Sequence, residues 1–381
     1  MDKQQEPEWF QELRKKADPR WLELLGNPGG AALLIKELPS SLPPERVAEH
    51  GTDERKVWEY IGLFYRSQQR WYDAIAIYSS MYYHFLGLQE TTGNRVHKGM
   101  PLVWLADCYL SLGLKTLSSR YLMLTLVEDA ITLKGKIDPI ETGSYVRLAW
   151  AHGFTDIEIK KYADQAYKIW EVYPSESMYP EWILQELDQD WIVEVPGPNE
   201  ATFYTANEIY IKHLIDGLKE PSGKVLERLA EYLLSCMPGC KTSRRNATES
   251  TDYDVVCSLQ GPDIDFRSEL GRYFVVECKD WKDPVDFSSF AKFCRVLDSV
   301  KSHFGIIFSK YGITGEGHNS NAEREQLKVF QDRGMVIIVV KEIDLDYVSH
   351  GGNFISLLKN KYEKVRLDLR SISSTSKAKA K

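Results

Sequence analysis

Tyr273-Phe274-Val275-Val276-Glu277-Cys278-Lys279 is an apolar run that turns charged over its last three residues. Short runs rich in β-branched and aromatic residues read as strands. A carboxylate and an ammonium at the end of such a run are costly unless paired or bound to metal. Glu277 and Lys279 are two apart and share one strand face, while Cys278 points to the other and reads as core. Upstream, Asp252-Tyr253-Asp254-Val255-Val256-Cys257-Ser258-Leu259 reads as a second strand. If the two strands are neighbours, Asp254 and Glu277 can converge on one ion. Asp252 is a rival for the metal position, but it stands farther from the strand core, which begins at Val255.

Working outward, Ser222 is a fair N-cap. Val225, Leu226, Leu229, Leu233 and Cys236 then recur at helical spacing, and Pro238-Gly239 stops the helix. Glu227 lies beside that apolar stripe and can lean over the same strand edge. Downstream, Val285–Ser302 reads as an amphipathic helix, and Phe304-Gly305-Ile306-Ile307-Phe308 as a buried strand. Asn321–Asp332 reads as a helix, Met335–Val340 as a last strand, and Gly239–Arg245 as one more candidate strand. Helices between apolar strands imply an α/β layer with parallel pairing in its later part.

In this order, Glu227, Asp254 and Glu277-Cys278-Lys279 resemble the E…D…(D/E)-x-K signature of restriction-endonuclease-like nucleases, the PD-(D/E)XK superfamily. The texture is similar to the Mrr-type branch and to archaeal Holliday-junction resolvases. The resemblance covers residues 220–345, under half of the chain. Tyr253 stands where the signature's Pro is often found, and Lys292 lies where several relatives carry Gln; Lys292 otherwise reads as part of a solvated helix face.

The resemblance implies a Mg2+-dependent endonuclease with a central mixed sheet. Asp254 and Glu277 would hold Mg2+ or Mn2+, with the Cys278 backbone carbonyl as a further ligand and Glu227 serving a second ion. Hard divalent cations held by carboxylates neutralise the charge that builds up during phosphodiester hydrolysis. Lys279 would orient or help deprotonate the attacking water, or stabilise developing charge. DNA is the implied substrate, although the same residues suit RNA. A two-strand cut needs two sites and hence a homodimer. By analogy of fold, such fusions fit prokaryotic defence.

Backbone phosphates need cations. Lys241, Arg244 and Arg245 form a basic cluster before the Asp254 strand, with Lys282, Arg272 and Lys310 as further candidates. The Gly-rich stretch 310–317 lacks the Lys-Ser/Thr ending of a phosphate-binding loop and reads as a turn over the active edge. His303 and His318 are isolated and are not expected to be ligands.

The N-terminal half has a different texture. Trp58, Ile61, Gly62 and Tyr65, followed by Ala74 and Tyr78, resemble a tetratricopeptide repeat. Small Gly62 and Ala74 would let two helices approach closely. Leu102, Leu105, Ala106 and Tyr109, then Ser118 and Leu122, form a second unit. A degenerate third runs from Tyr145 through Ala149, Ala163 and Tyr167 to Pro174. Such a surface is expected to bind a protein or peptide rather than to catalyse.

The fold expected is multidomain: an all-α helical-repeat N-terminal half plus an α/β restriction-endonuclease-like C-terminal domain. The parts are a helical extension over 1–50, helical hairpins over 51–175, a Pro/Trp-containing connector over 176–215, the nuclease-like domain over 216–370 and a disordered tail over 371–381. Residues 221–381 hold 25 Lys+Arg and 22 Asp+Glu, leaving 23 and 33 for residues 1–220. The acidic first half is a poor nucleic-acid partner and the mildly basic second a better one. Hydrophobic residues at 43% and charged residues at 27% exclude a disordered or coiled-coil chain. No apolar run reaches the roughly 18 residues of a membrane helix, and the polar start is no secretory signal. The six scattered cysteines read as buried free thiols of a cytoplasmic protein; Cys236 and Cys240 lack the second ligand pair of a zinc site.

Overall fold

The computed structural model describes residues 6–44, 52–137, 146–193, 200, 203–219, 223–244, 253–259, 267–280, 282–315 and 321–367. Tyr145, Ser222, Arg245, Asp252, His318 and the tail 371–381 lie outside the described residues. The chain divides into two compact units, Met1–Glu200 and Ala201–Lys381. The stretch expected to connect them is shared out. The Pro180–Glu186 helix packs on Lys115–Thr132 in the first unit, and the Glu208–Gly217 helix packs on Lys224–Ser235 in the second.

The first unit is helical. Asp53–Ser67 packs on Trp71–Thr92, and Gly99–Ser111 on Lys115–Thr132; Val146–Ala151 and Asp156–Val172 follow. Most of the repeat-like positions are core: Trp58, Ile61, Tyr65, Ala74, Tyr78, Leu102, Leu105, Ala106, Tyr109, Ser118, Leu122, Ala149 and Ala163 are buried, whereas Tyr167 is half-buried and Pro174 exposed. Gly62 lies directly against the Tyr78 ring, so a Cβ there would overlap it. The early helices join the same core: Trp58 Nε1 donates to Ser41 Oγ at 2.7 Å, and Arg70 to the Leu25 carbonyl at 2.9 Å. Thr155 and Glu158 form a capping box that starts the Asp156–Val172 helix.

The second unit is built on a five-stranded mixed sheet in the order β1 (Cys240–Arg244), β2 (Val255–Leu259), β3 (Tyr273–Lys279), β4 (Phe304–Ser309), β5 (Val336–Val340). The first three strands pair antiparallel and the last three parallel, as the apolar runs and intervening helices imply. β4 and β5 are buried throughout, as parallel strands covered on both faces must be. One face carries Val275, Ile307, Ile337 and Val339 against Phe290, Phe293 and Leu297 of the Phe287–Ser299 helix and Val329 of Ala322–Arg333. Gly305 leaves room there for the Phe293 ring. On the other face Phe274 meets Phe304, which meets Tyr362 of the Phe354–Arg366 helix. The Lys224–Ser235 helix starts from Gly223, whose φ of 69° only glycine adopts freely, rather than from the expected serine cap.

Candidate active site

The end of β2 is irregular where the chemistry is expected. The ladder pairs Val255 with Val276, yet the Asp254 N–H also reaches the Val276 carbonyl, at 3.2 Å. Asp254 and Val255 therefore oppose one residue of β3, the pattern of a β-bulge, which re-aims a side chain. The Asp254 carboxylate turns to the end of β3, where its Oδ2 accepts the Cys278 N–H at 2.7 Å.

Glu277 and Lys279 lie on the strand face of Val275, and their side chains form an ion pair. Burial raises the Glu277 carboxyl above its ordinary value. Lys279 opposes that shift by hydrogen bond and charge, Asp254 adds to it, and Lys292 opposes it. The Cys278 thiol is held well above its usual range, first by burial and then by the charges of Asp254, Glu227 and Glu277. The charges of Asp254, Glu227 and Glu277 thus all act on one thiol. Among the described residues no three His, Cys, Asp or Glu side chains stand close enough together to hold one ion. Asp254 is engaged by the Cys278 amide and Glu277 by the Lys279 ammonium.

The donor chemistry nonetheless suits a hard divalent cation, because carboxylate and carbonyl oxygens are what Mg2+ and Mn2+ prefer. A carboxyl whose charge is disfavoured by burial gains most from a nearby cation.

The expected basic cluster does not form as such. Lys241 and Arg244 belong to edge strand β1, opposite Ser258 and Val255 respectively. Being three apart on a strand, they project to opposite faces. Arg244 is ion-paired with buried Glu231 of the Lys224–Ser235 helix. Lys282 is exposed just beyond β3, and Arg245 lies outside the described residues. The resemblance singles out Glu227 and passes over Glu231, one helical turn on, which has the more buried carboxylate; the only sequence signal is the spacing of four. Exposed Lys292 does sit on a solvated helix face as expected, yet its charge still reaches Glu277.

All six cysteines are free thiols, five of them buried and Cys278 half-buried. Among the described residues, no helix is long and apolar enough to cross a membrane. Comparison with protein-family models, with curated proteins and with solved structures finds no match to this chain.

Proposed function

We propose that the Ala201–Lys381 unit is a restriction-endonuclease-like domain that hydrolyses phosphodiester bonds in DNA as a Mg2+-dependent endonuclease. Asp254, Glu277, the Cys278 carbonyl and Glu227 would hold Mg2+ or Mn2+, and Lys279 would serve the attacking water. The observation that carries this reading is the bulge at Asp254, which turns an otherwise strand-bound carboxylate onto the charged end of β3. When bound, the cation supplies charge neutralisation at the scissile phosphate. Lys279 lies beside Glu277; with a cation held by the carboxylates, its ammonium would hold the attacking water or an anionic oxygen. Within the Met1–Glu200 unit, residues 51–175 are read as tetratricopeptide-like helical hairpins that recruit a protein or peptide partner. The whole fits a cytoplasmic homodimer acting in prokaryotic defence.

Incubating the full chain with supercoiled plasmid and Mg2+, beside Lys279→Ala and Asp254→Ala variants, tests the reading. Nicking or linearisation by the parent that both variants lose is the expected result. Cleavage that persists in both would place the chemistry elsewhere.

A second reading, a helical-repeat adaptor with a catalytically inactive nuclease-like domain, is favoured by one observation: both key carboxylates are satisfied by internal partners. Absence of cleavage on DNA and on RNA with Mg2+ and with Mn2+ would support it.

A further inference from the structure

Strand β3 opens on an exposed aromatic residue. Tyr273 is 55% exposed, whereas Phe274, Val275 and Val276 after it are buried. It lies on the strand face of Val275, the face that the Phe287–Ser299 helix covers. That helix ends beside it. The Ser302 hydroxyl donates to the Tyr273 carbonyl at 3.1 Å, and β4 runs alongside β3 in parallel register. Val300 and Lys301, at this helix end, are exposed. The Arg272 guanidinium stands over the Tyr273 ring, 5.4 Å from its centroid. Two cationic residues and an open ring thus meet at the amino-terminal ends of β3 and β4.

Neither cation is matched by a carboxylate. Among the described residues, Arg272 and Lys301 form no ion pair. Glu269, three residues before Arg272, is engaged by Tyr362 and Arg366. Asp298, three residues before Lys301, is engaged by Arg333 at 2.8 Å. Lys301 also stands where a side chain strains the backbone. The Lys301 and Ser302 N–H groups close the helix on the Asp298 and Leu297 carbonyls, and Lys301 takes a left-handed φ of 57°. Glycine is the usual occupant of that place, because any other residue carries the cost of its Cβ. A strained residue at an exposed position points to a use for its side chain. The helix dipole favours a cation at this end but gives no reason for an open tyrosine beside it.

We propose that Arg272, Tyr273 and Lys301 form a docking patch for single-stranded DNA, with Tyr273 stacking on an unpaired base and the two cations meeting the flanking phosphates. Unpaired strands bind in this way, through aromatic faces that take bases and cations that track the backbone. A duplex keeps its base faces inside its own stack and has none to offer. The choice of DNA as the polyanion rests on the nuclease reading. Along β3 the patch lies about 20 Å from Lys279, at roughly 3.3 Å per residue, so it holds the strand away from the reacting bond.

The test is fluorescence anisotropy of the full chain with a labelled oligothymidylate of about 12 nucleotides, in EDTA so that cleavage cannot contribute. Tyr273→Ala should weaken binding by a factor on the order of ten to a hundred, and Tyr273→Phe should restore it. Each phosphate contact on a single strand adds about 0.7 to the slope of log affinity against log salt. Arg272→Ala combined with Lys301→Gly should therefore lower that slope by about 1.4. Lys301→Gly alone should lower it by about 0.7 while holding or raising the thermal midpoint, because glycine suits the backbone there. A weakened fold cannot then explain the loss. Equal affinity for a blunt duplex of the same length overturns the proposal. So does displacement by polyglutamate as readily as by unlabelled strand, or an unchanged salt slope in the double variant. Binding is read without metal, so a chain that cuts no DNA can still pass this test and one that cuts can still fail it.

Discussion

The backbone N–H of Cys278 donates to the Asp254 carboxylate at 2.7 Å, so the residue between Glu277 and Lys279 is tied to the neighbouring strand by a side chain. Asp254→Ala would leave a partly buried N–H without an acceptor, at a cost of about 1–3 kcal/mol. Asp254→Asn keeps an oxygen in place and should cost clearly less. Urea unfolding of both variants checks this. Equal losses would mean that the hydrogen bond is not what the site depends on for stability.

Burial holds the Glu277 carboxyl above 4.5. Between 4.5 and the raised folded value, the folded chain keeps a proton that the unfolded chain has released. The stability contributed by this group is therefore full below 4.5 and is lost as pH rises through the folded value. A bound cation must displace the same proton, so Mg2+ should stabilise little at low pH and increasingly above that value. Melting curves with and without Mg2+ should diverge as pH rises, and Glu277→Gln should remove the divergence. Curves separated by the same amount at every pH would contradict this.

In the helical unit, Gly62 admits the Tyr78 ring. A methyl group there must displace a ring that is fully buried, and overpacking of this kind costs about 1–3 kcal/mol. Gly62→Ala should lower the thermal midpoint, and should do so less in a Tyr78→Leu background, because neighbours that share a contact are not additive. Equal penalties in both backgrounds would place the strain elsewhere.

Glu128 is fully buried between Lys98, whose Nζ is 3.2 Å away, and Arg95 at 2.8 Å. Burial pushes its carboxyl up, but Arg95, Lys98 and His97 outweigh that and hold it at about 2. Its contribution to stability is complete above 4.5 and is lost as pH falls through about 2. Glu128→Gln strands the Lys98 ammonium and should cost about 3–5 kcal/mol at neutral pH. The variant should also lose part of the acid-induced destabilisation seen in the parent by circular dichroism. An unchanged acid transition would show that another group governs it.

The order of β2 to β5 and of the helices between Lys224 and Arg333 was largely legible because those strands are mostly apolar runs and those helices keep their stripes, whereas the helices at Glu208–Gly217, Glu342–Ser349 and Phe354–Arg366 were not foreseen. The strand at Cys240–Arg244 was harder to see. Lys241 and Arg244 look like a basic loop until their opposite faces are known. The aim of Asp254 was not legible, because alternation assumes an unbroken ladder and the bulge breaks it. Glu231 was missed because nothing in a helical stripe says which of two glutamates a turn apart will meet an arginine from an edge strand. Gly62 was legible since close helix approach demands a residue of that size. The division of residues 176–215 between two units depends on tertiary packing, which local sequence does not encode.

The surplus residue at the mouth of β2 separates two tasks. Val255 and Cys257 answer to the interior of the sheet, while the carboxylate beside them is steered by a local kink. Repacking of the interior can therefore proceed without disturbing the direction of that charge. Deletion of Asp254 would instead remove the surplus residue and the charge together, while leaving β2 zipped to β3.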